Sequence, residues 1–147
     1  MTVLIYKCHP DASLPRRAEN EAAGYDVCAL EDFWIRPGER VVIRTGLVIM
    51  PPAGYHTEVL VRSSMAYKHG IMLTNSVGLI DRSFASKEDE LKIMLYRVPN
   101  STSDSLHIAK GDRVAQLVFR KTEVFEIQEV DQAPKDITRG GLGSTGK

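Results

Sequence analysis

The residues with the greatest chemical capacity lie in one stretch, Arg62 to Asp81 (RSSMAYKHGIMLTNSVGLID). Ser63 and Ser64 stand where a helix N-cap is expected, and Gly70 ends the helix-tolerant run that follows them. Arg62 would lie beside the amino end of this short helix, where free N–H groups, two hydroxyls and a guanidinium converge. We predict that an oxyanion, most simply a phosphate group, binds at this point.

The second half of the stretch would bring a carboxylate close to an amide. Ile71-Met72-Leu73 predicts a short buried strand, Asn75-Ser76 a turn, and Val77 to Ile80 a second apolar run that ends on Asp81. We therefore expect a hairpin with Asp81 at its lip. Asn75 can donate and accept hydrogen bonds at once, as the edge of a nucleobase requires. Each feature alone is structural in most proteins, so the prediction depends on their combination at this spacing.

The composition fits one domain that handles a small ligand. The 147 residues suffice to bury a core but are short for two domains. The formal net charge is +0, so the chain lacks the basic surface of a protein that holds long nucleic acid, and a single nucleotide is the better phosphate ligand. With no signal peptide and no apolar run long enough to cross a membrane, we expect a cytoplasmic protein. The cysteines and histidines lack metal-ligand spacing, so we expect reduced thiols and no zinc.

Short strands with turn residues between them dominate the rest of the chain. Apolar or alternating runs predict strands at many points, among them Tyr55 to Val61, Val114 to Phe119 and Val124 to Val130. With only one brief helix, this pattern predicts an all-β protein, either a barrel or a jelly roll. The glycine-rich end cannot bury enough surface to fold alone. We therefore expect a domain over residues 1–135 and an extended C-terminal arm over 136–147.

The sequence KGDRVAQLVF places a polar side chain within a strand. Gln116 shares one strand face with Val114 and Val118, which is unusual unless the amide reaches a ligand or a partner. Asp112 and Arg113 precede this strand, and we interpret them as a solvated turn pair.

Five stretches in order resemble the motifs of the trimeric dUTPases, the deoxyuridine triphosphate nucleotidohydrolases. RSSMAYKHGI and NSVGLID resemble the second and third motifs, and AAGYDVCA, which contains Asp26, is similar to the first. KGDRVAQLVF and RGGLGSTGK resemble the fourth and fifth. The resemblance spans Leu14 to Lys147. It implies a distorted jelly roll of the β-clip type and a homotrimer that hydrolyses dUTP to dUMP and pyrophosphate at three shared sites.

The resemblance also implies roles for single residues. Asp81 would take a proton from the attacking water while Mg²⁺ bridges the triphosphate oxygens. Asp26 would contact the metal indirectly, through water; the alternative is a buried carboxylate that satisfies turn amides. The phosphates would be bound by Arg62, Ser63, Ser64, Gln116 and Arg139. The uracil would be read by Asn75 and by the backbone of Gly78, Leu79 and Ile80. Further substrate contacts would come from Phe84, Lys92, Leu142, Ser144 and Thr145.

Several features depart from the family pattern. Leu142 stands where the family has a phenylalanine that stacks on the uracil, and the glycine run of the arm is two residues shorter, so closure over the site should be weaker. Phe84 replaces a tyrosine that packs under the deoxyribose, and since the ring is kept, exclusion of ribose should survive. The three residues from Lys87 to Asp89 look inserted in the loop beside the sugar.

Two alternatives stay open. The dCTP deaminases share this fold and a similar RSS motif, but they need a glutamate base on the strand after the aspartate, and LKIMLY contains no acid. The second alternative is a nucleotide-sensing or regulatory protein that binds dUTP but turns it over weakly, which the short arm and Leu142 favour. Pyrophosphate release separates the enzyme from the sensor, and ammonia release from dCTP would identify a deaminase.

Overall fold

The computed structural model describes residues 1–99, 104–137 and 140 of the chain. Short β-strands dominate it, and one helix follows the sixth strand. In chain order the elements are β1 Leu4–Lys7, β2 Tyr25–Cys28, β3 Phe33–Ile35, β4 Arg40–Arg44, β5 Leu47–Met50, β6 Tyr55–Val61, α1 Ser63–His69, β7 Ile71–Leu73, β8 Gly78–Ile80, β9 Lys92–Arg97, β10 Leu106–Ile108 and β11 Arg113–Lys121.

The strands form four antiparallel sheets around one apolar core. The largest has the order β2-β11-β6-β8, the next β4-β9-β7, and the pairs β1-β5 and β10-β3 complete the set. Side chains that alternate inward along these strands fill the centre, and Leu47, Leu95 and Leu117 are fully buried there. The prediction of an all-β jelly roll with one short helix is confirmed, whereas the sheets of the described residues do not close into a barrel.

Strand β6 positions the predicted site. It spans Tyr55–Val61, as the sequence predicted, and lies between β11 and β8 in the largest sheet. A turn before it, in which Tyr55 N donates to Pro52 O at 3.1 Å, starts the strand, and Arg62 follows its last residue. The chemistry predicted around Arg62 therefore lies at the carboxyl end of β6.

The predicted serine cap of α1 is wrong. Arg62 is the N-cap, with φ −77° and ψ 140°, and its side chain makes no capping hydrogen bond. Ser63 and Ser64 are instead the first two helical residues, because β6 runs directly into the helix and Arg62 is the last extended position. Gly70 ends the helix as predicted, with φ 63° and its N–H donating to Ala66 O at 3.0 Å.

The predicted hairpin of β7 and β8 is also wrong. β7 pairs with β9 in one sheet, and β8 pairs with β6 in another. The turn around Asn75, where Ser76 has φ 60°, carries the chain from one sheet to the other. Each strand has only three residues, and a hairpin of that length is marginal on its own, whereas β9 and β6 are longer strands that also pair with other strands of their sheets. Asp81 therefore follows an edge strand and does not lie on a hairpin.

The strand predicted at Val124 to Val130 is absent from the described residues, and this prediction is wrong. The sheets end at Lys121, and residues 122–137 are exposed without helix or strand. The side chains of Val124, Phe125 and Ile127 are 91%, 79% and 94% exposed. Among the described residues these side chains pack against no apolar surface, so no burial stabilises strand pairing in this segment.

Four predicted contact residues of the arm, Arg139, Leu142, Ser144 and Thr145, lie outside the described residues. Within the ranges 1–99 and 104–137, no helix has the length and apolar character that a membrane crossing requires.

Candidate active site

A closed ring of contacts joins three residues at the carboxyl end of β6. Arg62 Nε donates to Asp26 Oδ1 at 2.8 Å, and Arg113 Nη1 donates to Asp26 Oδ2 at 2.9 Å. Arg62 Nη1 lies 3.4 Å from Arg113 O. The Asp26 side chain is only 12% exposed, so these charge-assisted bonds are stronger than those of a surface pair. Each Asp26 oxygen is therefore committed to one guanidinium.

The sheet register explains why these residues meet. Gln116 on β11 lies opposite Asp26 on one side and Leu60 on the other. Arg62 is two residues beyond Leu60, so its long side chain reaches diagonally across β11 to Asp26. Gln116 lies within this arrangement, and its Nε2 donates to Val61 O at 3.3 Å.

A glycine makes room for the Gln116 side chain. A Cβ at Gly24 would lie 2.5 Å from Gln116 Oε1, closer than real side chains approach. Gly24, in the AAGYDVCA stretch before Asp26, therefore allows the close approach of this side chain.

A cationic cleft of about 310 Å³ opens beside Arg62. Ser64 lines it at the start of α1, and Ser63 is exposed beside it. Basic groups outnumber the single acidic one in the lining, which includes Arg62, Lys68, His69, His107, Arg113 and Asp112. The serine hydroxyls make no capping bond, so they can donate to an anion in this cleft. The arrangement can bind phosphate oxygens.

Asp81 is exposed to solvent on the turn after β8. No side-chain hydrogen bond or ion pair reaches Asp81 from the part of the chain that the structure describes. A turn in which Phe84 N donates to Asp81 O at 3.1 Å brings the exposed Phe84 close to it. Asp81 lines a separate cleft of about 380 Å³ with His56 and Thr122.

The base-reading residues lie next to Asp81. β8 is the edge strand of its sheet, so one side of its backbone lacks a partner strand among the described residues. A Cβ at Gly78 would lie 3.6 Å from Asn75 Nδ2 and 2.9 Å from the Cβ of Val59, so the amide side chain lies beside the edge and only glycine fits against β6. The exposed Leu79 and half-buried Ile80 continue this edge.

The two halves of the predicted site are far apart within one chain. Ile80 faces Thr57 near the start of β6, whereas Arg62 follows its end. With about 3.3 Å of rise per residue, the six residues from His56 to Arg62 separate the halves by roughly 20 Å. The cleft beside Arg62 and the cleft beside Asp81 share no lining residue. One chain therefore does not bring Asp81 to its own Arg62.

Comparison with known proteins identifies the family. The family model described as dUTPase matches residues 10–146. The chain belongs to the dUTPase family. A deoxyuridine 5'-triphosphate nucleotidohydrolase of Nautilia profundicola is 36% identical over 150 residues and covers 100% of both chains. Another of Thermobifida fusca is 38% identical over 98% of this chain and 78% of that protein.

Solved dUTPases share the fold. The dUTPase of Staphylococcus bacteriophage 80alpha, solved with dUpNHpp, superimposes with a TM-score of 0.83 at 23% identity and covers 99% of each chain. A variant dUTPase from phage phi11 of S. aureus, which coordinates a structural Mg(II) ion, gives 0.78 at 22% identity, covering 90% of this chain and 98% of that one. At this identity the likeness concerns the fold.

Three further features of this dUTPase lie outside the ring of contacts. Lys92 is exposed on β9, opposite Arg44, and the structure does not bring it to Arg62. The segment from Lys87 to Asp89 closes on itself, because Asp89 Oδ2 accepts from Ser86 N at 2.8 Å. Asp112, interpreted as a solvated residue, holds its own turn by accepting from Ala109 N at 2.9 Å.

Arg113 is a residue of the site that sequence reasoning missed. It was interpreted as part of a solvated turn, and its side chain is 51% exposed, yet it binds Asp26. A register shift between Arg113 and Ala115 marks a β-bulge, which places Arg113 opposite Cys28, two residues from Asp26. No local pattern signals a contact between residues 87 positions apart.

A third cavity, of about 630 Å³, is lined by Asp26 and Arg113. Lys7, Arg16 and Arg17 line it together with Cys28. Burial raises the pKa of the Cys28 thiol, and the neighbouring Asp26 carboxylate adds to the effect. Cys28 is therefore a protonated, weakly nucleophilic thiol at neutral pH.

The residues around Asp26 fit a metal ion that is carried into the site by a bound triphosphate. The described part of the chain contains no group of three or more His, Cys, Asp or Glu side chains that could hold a metal ion. Both Asp26 oxygens accept from arginines, but each keeps a lone pair that can accept from a metal-bound water. Mg²⁺ keeps several waters and takes substrate phosphates as ligands, so this donor set suits a Mg²⁺–triphosphate complex.

Proposed function

We propose that this chain is a dUTP diphosphatase, which hydrolyses dUTP to dUMP and pyrophosphate. Membership of the dUTPase family and the full-length match to deoxyuridine triphosphate nucleotidohydrolases support it. The observation that carries the proposal is the fixed Arg62 guanidinium beside the start of α1, because it is a prepared site for an anion. The reaction limits dUTP available for incorporation into DNA and supplies dUMP for thymidylate synthesis.

The triphosphate binds at the Arg62 end. Arg62 and Ser64 line the cleft at this end, and Gln116 lies opposite Leu60, two residues before Arg62. We assign phosphate contacts to Arg62, Ser63, Ser64 and Gln116, with Arg139, Ser144 and Thr145 added when the arm over residues 136–147 closes. Asp26 would contact, through water, a Mg²⁺ ion carried by the triphosphate, and that ion would supply positive charge beside the phosphate oxygens.

The base binds at the β8 edge. Backbone groups on the side of Gly78–Ile80 that faces away from β6, with the Asn75 amide, can pair with the uracil edge. A 4-amino group would present a donor where this edge expects an acceptor, and a 5-methyl group would collide with the turn. The Phe84 ring, held near Asp81 by the turn, packs against the deoxyribose and excludes a 2′-hydroxyl. Leu142 covers the base.

Asp81 is the general base. Its carboxylate is exposed and lies at the base-reading end, where it accepts a proton from the attacking water and holds that water in line. A positioned base contributes roughly a hundred- to ten-thousand-fold. Because no acid lies on β9 after Asp81, the deaminase reaction lacks its base in this chain.

The enzyme acts as a homotrimer whose sites are shared. The separation of roughly 20 Å between Asp81 and Arg62 along β6 supports a site in which Asp81 of one subunit meets Arg62 of another. The exposed apolar side chains of Val124, Phe125 and Ile127 also suit burial against a neighbouring copy.

Pyrophosphate release with Mg²⁺ tests the proposal, with dUTP, dCTP, dTTP and UTP compared at equal concentration. Rapid release from dUTP alone is expected. Tight dUTP binding without release would favour the sensing or regulatory alternative, and ammonia from dCTP would indicate a deaminase. Comparable release from UTP would remove the role given to Phe84.

A further inference from the structure

Arg113 is held in the site by contacts that a solvated turn residue does not make. Its Nη1 donates to Asp26 Oδ2 at 2.9 Å, and its carbonyl oxygen lies 3.4 Å from Arg62 Nη1. Asp26 Oδ1 accepts from Arg62 Nε at 2.8 Å and completes the ring. The Arg113 side chain therefore acts on Arg62 through Asp26, and the Arg113 backbone contacts Arg62 directly.

The ring fixes which N–H groups of the Arg62 guanidinium are available. Nε donates to Asp26 and one N–H of Nη1 donates to Arg113 O, which leaves the second N–H of Nη1 and both N–H groups of Nη2 for a ligand in the 310 Å³ cleft. Asp26 can hold Arg62 in this way only while its carboxylate plane is fixed. With Arg113 removed, Asp26 Oδ2 would lose its partner, and the carboxylate could rotate or bind Arg62 through both oxygens.

We propose that Arg113 is a positioning residue: it anchors Asp26 Oδ2 so that Oδ1 sets the orientation of the phosphate-binding Arg62. This inference rests on the proposed function, since it concerns the triphosphate half of the same site. Arg113 acts through Asp26 and Arg62, and its effect on the reaction is therefore conditional on Arg62.

The chain contains a matched control pair. Arg44 Nε lies 3.0 Å from Glu90 Oε2, and the side chains of Arg44 and Glu90 are 45% and 11% exposed. Arg113 and Asp26 are 51% and 12% exposed at 2.9 Å. The two ion pairs have the same chemistry and nearly the same burial, but Arg44 has no contact with Arg62. Loss of either arginine should lower the unfolding temperature by a similar amount.

The experiment compares Arg113→Gln, Arg113→Lys and Arg44→Gln, using kcat and KM for dUTP with Mg²⁺. Arg113→Gln should lower kcat/KM roughly ten- to hundredfold, the effect of a misplaced binding group. Arg113→Lys, which keeps a cation near Asp26, should recover most of the loss. Arg44→Gln should leave kcat/KM within about twofold, as expected for surface changes away from a site.

A double-mutant cycle with Arg62→Gln separates positioning from a direct role. Once Arg62 is absent, Arg113→Gln should cost no more than about twofold further, because the residues act as one unit. An equal loss of kcat/KM from Arg113→Gln with and without Arg62 would overturn the inference. So would an Arg113→Gln enzyme with unchanged kcat/KM, or an Arg44→Gln enzyme whose kcat/KM falls as far.

The same cycle is also measured as affinity for the nonhydrolysable analogue dUpNHpp. A protein that binds the analogue but releases no pyrophosphate would refute the proposed hydrolysis, while non-additive losses of affinity would still support Arg113. A protein that hydrolyses dUTP with additive losses would refute Arg113 alone. Absence of analogue binding by the unaltered protein would refute both.

Discussion

The two ends of β6 differ in how completely one chain builds them. At the Arg62 end, a carboxylate that is 12% exposed holds two guanidinium groups, and Gln116 packs against Gly24. At the Asp81 end, the carboxylate is exposed on the turn that follows an edge strand. An anion site needs its cations fixed before the ligand arrives, whereas a base that another chain completes must stay accessible. The difference fits a site in which one subunit supplies the phosphate half and another supplies the base half.

Replacement of Asp81 tests the open end and has the largest expected effect. Asp81→Asn should lower turnover roughly 10²- to 10⁴-fold, because the amide cannot accept the proton of the attacking water. Affinity for dUpNHpp should be retained, since the phosphate half is unchanged. The control is Asp11→Asn, which removes an exposed carboxylate paired with Lys110 at 2.6 Å and should keep full activity. Near-normal turnover of Asp81→Asn would remove the proposed base.

Deletion of residues 139–147 tests whether dUTP hydrolysis requires the arm in addition to the Arg62 and Asp81 ends of the site. We expect pyrophosphate release to fall roughly a hundredfold, the usual cost of losing a positioned donor to developing charge. The unfolding temperature should not change, because the sheets end at Lys121. An unchanged rate would mean that the arm takes no part in closure, and a large drop in unfolding temperature would mean that it stabilises the fold instead.

A mixture of two inactive variants tests whether Arg62 and Asp81 of one site come from different subunits. Arg62→Ala and Asp81→Asn chains are each expected to be nearly inactive. Unfolded together and refolded at equal amounts, they should recover about a quarter of the unaltered activity, since half of the subunits supply an intact Arg62 and half an intact Asp81 (1/2 × 1/2). If both residues served the same chain's site, the mixture would stay as inactive as its components.

Local patterns in the sequence predicted the elements that carry both ends. Alternation after a turn predicted β6 at Tyr55–Val61, a short apolar run predicted β7 at Ile71–Leu73, and Gly70 ended α1 as expected. These features depend on residues within a few positions of each other, so the sequence contains them directly. Arg62 was placed correctly beside the start of α1 for the same reason.

Pairing between distant segments could not be predicted in this way. β7 and β8 are adjacent in sequence, yet each pairs with a strand of another part of the chain, so the hairpin was wrong. The Val124 to Val130 stretch has a strand-like composition, but burial decides whether such a stretch pairs, and the described part of the chain does not bury its side chains. The Asp26–Arg113 contact depends on a bulge at β11, which no local pattern marks.

Leu142→Phe tests whether the arm closes over the base half of the site. We expect a smaller change in activity from it than from the other variants. An aromatic ring over the uracil adds roughly 0.5 kcal/mol beyond the area that leucine already covers, which corresponds to a two- to threefold lower KM for dUTP. The kcat of Asp81→Asn should not recover in the double variant, because stacking does not replace a base. Leu142→Ala is the matched control and should raise KM, since it removes covering area. If Leu142→Phe and Leu142→Ala both leave KM unchanged, Leu142 does not contact the base. The arm would then act only through its contacts with the phosphates at the Arg62 end.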